Sequence, residues 1–147
     1  MEKEKELFLA VIKDTIQGTY QGKIGSLLES KIDWSRFKSL THYHELTPFV
    51  YLPLKNFAKR IPDEAREFFR QTYYLTCGRC QNLWQEFLRI LSAFEQAEVL
   101  LLPLKGAAFL EDLYQDKPVR AMTDIDLLVK REEFKQAEGV LYSLGYQ

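Results

Sequence analysis

A chain of 147 residues, 46% hydrophobic and 14% aromatic, has room for one ordinary domain or for a helical lobe with part of another. That composition is enough for a packed core and argues against disorder. Twenty basic and 21 acidic residues leave a net charge of -1, which argues against bulk electrostatic binding, so nucleic acid is not an expected partner.

The N-terminus, MEKEKELFLAVIKD, mixes acids with its lysines around a six-residue apolar run and does not read as a signal peptide. No segment has the length to cross a bilayer. A cytoplasmic protein without membrane contact is the expectation, and two cysteines argue against a disulfide framework.

The first two thirds are helical in pattern. Leu7, Phe8, Val11, Ile12 and Ile16 are read as one helical stripe, with Gly18 and Gly22 punctuating its end. Asp33 is placed to cap a helix that buries Trp34, Phe37 and Leu40. In LTPFVYLPLKNF, Thr47 is the expected cap and Pro48 the first helical residue, with Pro53 kinking or shortening that helix.

From Pro62 to about Ala97 runs one long periodic segment. Ala65, Phe68, Phe69, Thr72, Thr76, Cys80, Leu83, Phe87, Leu91 and Phe94 keep helical spacing, and Gly78 weakens the middle without breaking it. At ~1.5 Å per residue such a helix is roughly 50 Å long. The expected division is therefore a helical region over 1–97 and an α/β region over 98–147.

The character changes at Val99. VLLLPLKG reads as a short buried strand ended by glycine, with Pro103 at an edge or bulge. AAFLEDLYQD reads as a helix, Asp116 to Thr123 as a loop, DIDLLV as a second strand, and REEFKQAEGVLYSLG as a helix closed by Gly145. The fold class is α+β: helices first, then β-α-β-α.

Two aspartates interrupt that second strand. On a strand Asp124 and Asp126 share a face, ~6.5–7 Å apart along the backbone. Such a pair can hold one or two Mg²⁺ or Mn²⁺ ions, hard cations that take carboxylate and phosphate oxygens. Two strand-end aspartates facing water explain D-x-D alone equally well. LKGAAF shifts the balance, because Lys105 and Gly106 stand where a strand hands over to a helix. Gly106 lets a phosphate approach the backbone, and Lys105 adds a positive charge. Arg120, in the loop before the acidic strand, is either a phosphate or carboxylate contact or an ordinary surface arginine.

Cys77 and Cys80 form CGRC within a helical stretch. A zinc site with His42 and His44 has no further support, and a thioredoxin-type motif expects a βαβ context.

The strand, glycine turn, helix and strand bearing D-x-D resemble the core of the nucleotidyltransferase superfamily that includes DNA polymerase β and the antibiotic nucleotidyltransferases. LKGAAFLEDLY, Arg120, TDIDLLV and the closing LGY, with the leader IDWSRFKSLTHYHELTPFVY, resemble its poorly characterised bacterial branch. The resemblance implies the first half of a polymerase β-like fold. It implies Asp124 and Asp126 as catalytic metal ligands, and Lys105, Gly106 and Arg120 as nucleotide-binding residues. It also implies transfer of a nucleoside monophosphate from a nucleoside triphosphate to an acceptor hydroxyl of unknown identity, with release of pyrophosphate.

Three features depart from the wider superfamily. Ala107 follows the glycine and supplies no hydroxyl, eighteen positions (124 minus 106) separate Gly106 from Asp124, and the superfamily's third carboxylate lies on a later strand. The expectation is a truncated fold, catalytically incomplete as 147 residues and able to self-associate through an exposed sheet edge. The alternatives are a non-catalytic nucleotide-binding or helical interaction module with a degenerate fold, and a glycosyltransferase whose D-x-D holds a metal. The short Lys-Gly turn argues against the last.

Overall fold

The computed structural model describes residues 2–109 and 123–147. Five helices come first: α1 (Glu2–Gln17), α2 (Gln21–Leu27), α3 (Trp34–Tyr43), α4 (Thr47–Leu54) and α5 (Asp63–Gln96). After them come β1 (Leu101–Leu104), α6 (Lys105–Phe109), β2 (Asp126–Val129) and α7 (Phe134–Ser143), with 3₁₀ turns over Lys55–Arg60 and Arg131–Glu133. The class is α+β. The expected helix and loop over residues 110–122 lie outside the described residues.

Among the described residues the chain forms two compact units, one up to Cys77 and one from Gly78 onward. They part inside α5, whereas the change from helices to strands comes after it. The first unit is built on Leu7, Val11, Ile24, Phe37, Val50 and Phe69, all buried. Phe37 takes Trp34 and Phe69 edge-on, at 5.7 Å between ring centroids in each case. Ile16 does not join this core and is 72% exposed. At ~100° per residue it stands half a turn from Leu7, so a stripe drawn through both cannot face one way.

Local polar bonds fix how the first helices begin and end. Gly18 terminates α1 with φ 70, and its N–H donates to the Asp14 carbonyl at 2.7 Å. The buried Asp14 carboxylate then accepts the Tyr20 N–H at 2.7 Å and the Gln21 side-chain amide, which starts α2 inside a stretch read only as a helix end. Asp33 caps α3, accepting the Arg36 N–H at 3.1 Å, and its own N–H donates to Glu4. Thr47 does not cap α4: Leu46 holds that position, and Thr47 and Pro48 are the first two helical residues. The Thr47 hydroxyl is instead buried against that of Thr41, 3.3 Å away.

The long helix forms without interruption at Gly78. Ala65 and Phe69 belong to the first core, and Ile90 and Phe94 to the second. Buried Cys80, Phe87 and Phe94 stand seven residues apart on one seam. Ile90 joins that seam, while Leu91 lies 39% exposed beside it.

In the second unit β1 and β2 pair antiparallel, with Leu101 opposite Val129, Leu102 opposite Leu128, Pro103 opposite Leu127 and Leu104 opposite Asp126. Leu101, Ile125, Leu127 and Val129 pack against Ile90, Phe94, Val99 and Ala137. After α7, Gly145 (φ 93) donates to the Tyr142 carbonyl at 3.0 Å and Tyr146 to that of Leu141 at 3.1 Å. That is the Schellman ending, which glycine makes possible.

Candidate active site

The β1–β2 ladder ends at its last pair, Leu104 and Asp126. Beyond it the first chain leaves the extended conformation: Lys105 has φ 50 and opens α6. Among the described residues Asp124 and Ile125 have no partner strand, and β2 begins at Asp126 rather than at Asp124. The side-chain alternation nevertheless carries on upstream. Ile125, Leu127 and Val129 all pack on the core, which leaves Asp124, Asp126 and Leu128 to the opposite side. Asp124 is exposed, and the Asp126 side chain keeps 34% of its surface.

Lys105 completes this corner. Its Nζ lies 2.9 Å from Asp126 Oδ2, and the lysine side chain is 71% exposed. The hydrogen bond to Asp126 and the charge of that carboxylate raise the lysine above its ordinary pKa; partial burial opposes this, and Asp124 adds a weaker upward pull. Lys105 and the two aspartates thus form one electrostatic group.

The left-handed residue at this turn is Lys105, and Gly106 is already helical. A lysine in that region is uncommon and strained. The sequence hides this pairing because it needs the antiparallel register, which composition does not show. Arg120 lies outside the described residues.

Two carboxylates, one exposed and one partly exposed, fit a hard divalent cation whose remaining ligands are water and phosphate. Among the described residues no group of three or more His, Cys, Asp or Glu is placed to hold a metal. Cys77 and Cys80 lie on successive turns of α5 and form no disulfide. The Tyr73 hydroxyl, pushed up to about 12 by burial and then by its hydrogen bond with Cys77, accompanies them. His44 stacks on Phe8 at 5.5 Å between centroids, a packing role at the end of α3.

A cavity of about 290 Å³ lies between β2 and α7, lined by Leu127, Val129, Phe134 and Leu141 among others. It sits on the core face of β2, opposite Asp126, and its apolar lining has no part in this chemistry. No described helix is long and apolar enough to cross a membrane.

No curated protein and no solved structure matches the chain. A family model does, over residues 30–147, a span that holds α3 to α7 and every residue of the acidic corner. On that match, the chain belongs to the uncharacterised nucleotidyltransferase family.

Proposed function

We propose that this protein moves a nucleoside monophosphate from a nucleoside triphosphate to an acceptor hydroxyl in a Mg²⁺- or Mn²⁺-dependent reaction. Nucleotidyl transfer as a general activity stems from the family; the metal, the site residues and the direction of transfer are this proposal. The observation that carries it is the grouping of Asp124, Asp126 and Lys105 at the end of the β1–β2 ladder.

Asp124 and Asp126 would hold the ion, which when bound supplies charge neutralisation at the phosphates. Lys105 contacts a phosphate oxygen as a point charge, and Gly106 leaves the backbone beside it open to close approach. Arg120 is assigned to a phosphate or to a carboxylate on the substrate. The acceptor oxygen bonds to the α-phosphorus as the bond to the bridging oxygen breaks. Pyrophosphate leaves, and the proton of the acceptor hydroxyl passes to solvent water. Cytoplasmic location and a polymerase β-like core belong to the same proposal.

Thermal melting with metal and triphosphate tests the site. Together they should raise the melting temperature by mass action, and Asp124→Asn combined with Asp126→Asn should abolish the shift. An undiminished shift in the double variant refutes the assignment. Pyrophosphate release with mixed acceptors tests the reaction itself. Metal-dependent triphosphate binding without release would favour a non-catalytic nucleotide-binding module.

A further inference from the structure

We infer that Lys105 stands in for the metal: its ammonium occupies Asp126 until a divalent cation displaces it, and it is then released toward the phosphates. This rests on the metal-site reading above. Three observations carry it. First, Lys105 Nζ is 2.9 Å from Asp126 Oδ2, so it uses a carboxylate oxygen assigned to the cation. Second, the lysine side chain is 71% exposed, so water competes for its ammonium and the pair can exchange. Third, the backbone at Lys105 is left-handed, with φ 50. That conformation sits where the chain turns from β1 into α6, immediately after the last ladder pair, and it sets where this cation begins.

Without the lysine, two carboxylates would face each other's charge alone. With it, the corner carries one net negative charge (two carboxylates against one ammonium). A divalent ion must displace the ammonium from Asp126, which weakens binding of the metal by itself. The displaced ammonium becomes a donor for a phosphate arriving with the metal. Metal and triphosphate therefore favour each other's binding through one side chain that changes partners.

The test uses the full chain and Mn²⁺ alone, with free ion counted by electron paramagnetic resonance. Lys105→Gln removes the charge and should bind Mn²⁺ roughly two- to fivefold more tightly than the wild type, the range expected for an exposed competitor. Lys105→Gly also removes the backbone constraint and should show the same gain, which guards against a folding defect in the first variant. Lys105→Arg keeps a cation and should stay near the wild-type affinity, whereas Asp126→Asn should lose the ion. In a second readout, diamagnetic Mg²⁺ should move the Cε resonance of Lys105 toward its position in Asp126→Asn. Unchanged or weaker Mn²⁺ binding in both Lys105→Gln and Lys105→Gly, with binding still lost in Asp126→Asn, overturns the exchange and leaves the metal site standing. No Mn²⁺ binding by the wild type overturns both.

Discussion

Asp126 and Asp124 differ in what holds them, and their variants should differ accordingly. Asp126 is half-buried, fixed opposite Leu104 and paired to Lys105, while Asp124 is exposed and stands outside the ladder. Either change to Asn should leave the unliganded melting temperature nearly unchanged, because an exposed pair contributes little. Each should shrink the shift caused by Mg²⁺ with triphosphate, and a full shift in Asp126→Asn would refute the role given to it. The types and spacing of these residues were legible in the sequence, as was the alternation that puts both carboxylates on one side. The Lys105–Asp126 contact was not, since it depends on which residues two distant strands oppose. Glu86 offers a second residue-scale test. Its carboxyl is held down to about 2 by hydrogen bonds from Arg89 and then from Tyr146, and Arg89 also donates to the Leu144 carbonyl at 3.2 Å. Folding thus favours ionised Glu86. Its contribution is fully present above the ordinary value of 4.5 and is lost as pH falls toward about 2. Melting temperature measured against pH should fall across that window in the wild type and fall less in Glu86→Gln; parallel curves would contradict the assignment.

Helix α5 is the element the sequence displayed most plainly, because its buried positions recur through 34 residues. Its one weak residue gives a sharp prediction. Gly78 lies inside the helix, and a Cβ built there would meet nothing within 4 Å. Gly78→Ala should therefore stabilise the protein by about 0.5–1 kcal/mol, through lower entropy of the unfolded chain, in chemical denaturation. Gly145 is the opposite case: open space surrounds it too, but φ is 93, so Gly145→Ala should destabilise the end of α7. A stabilised Gly145→Ala, or a destabilised Gly78→Ala, would contradict these backbone roles. Caps were less uniformly readable. Asp33 was recognisable because a carboxylate ahead of an apolar periodic run has few better uses. Thr47 offered the same signal and misled, since its hydroxyl is buried against Thr41, a pairing set by tertiary packing. The start of α2 was hidden for a similar reason: the buried Asp14 organises it from the end of the preceding helix.

At the scale of the whole molecule, the described residues form two hydrophobic clusters of unequal size that both draw on α5. Among the described residues the first gathers thirteen buried residues and the second four: Ile90, Phe94, Val99 and Ala137. Burial of apolar area is the main stabilising term, so β1, β2 and α7, which rest on the smaller described cluster, are expected to open more readily to solvent exchange. The candidate site belongs to the second unit, with Lys105 directly after β1 and Asp126 opening β2. A ligand at 100 times its Kd stabilises the state it binds by about 2.7 kcal/mol. That gain should appear as slower exchange in β1, β2 and α7, the elements built on the second cluster, while α1 to α4 keep their unliganded rates. Hydrogen–deuterium exchange by mass spectrometry, with and without Mg²⁺ and a non-hydrolysable triphosphate, resolves these peptides. Asp126→Asn should show the unliganded pattern under both conditions. Protection appearing in α1 to α4 while β1 and β2 exchange as before would place the nucleotide elsewhere and remove the acidic corner from the reaction.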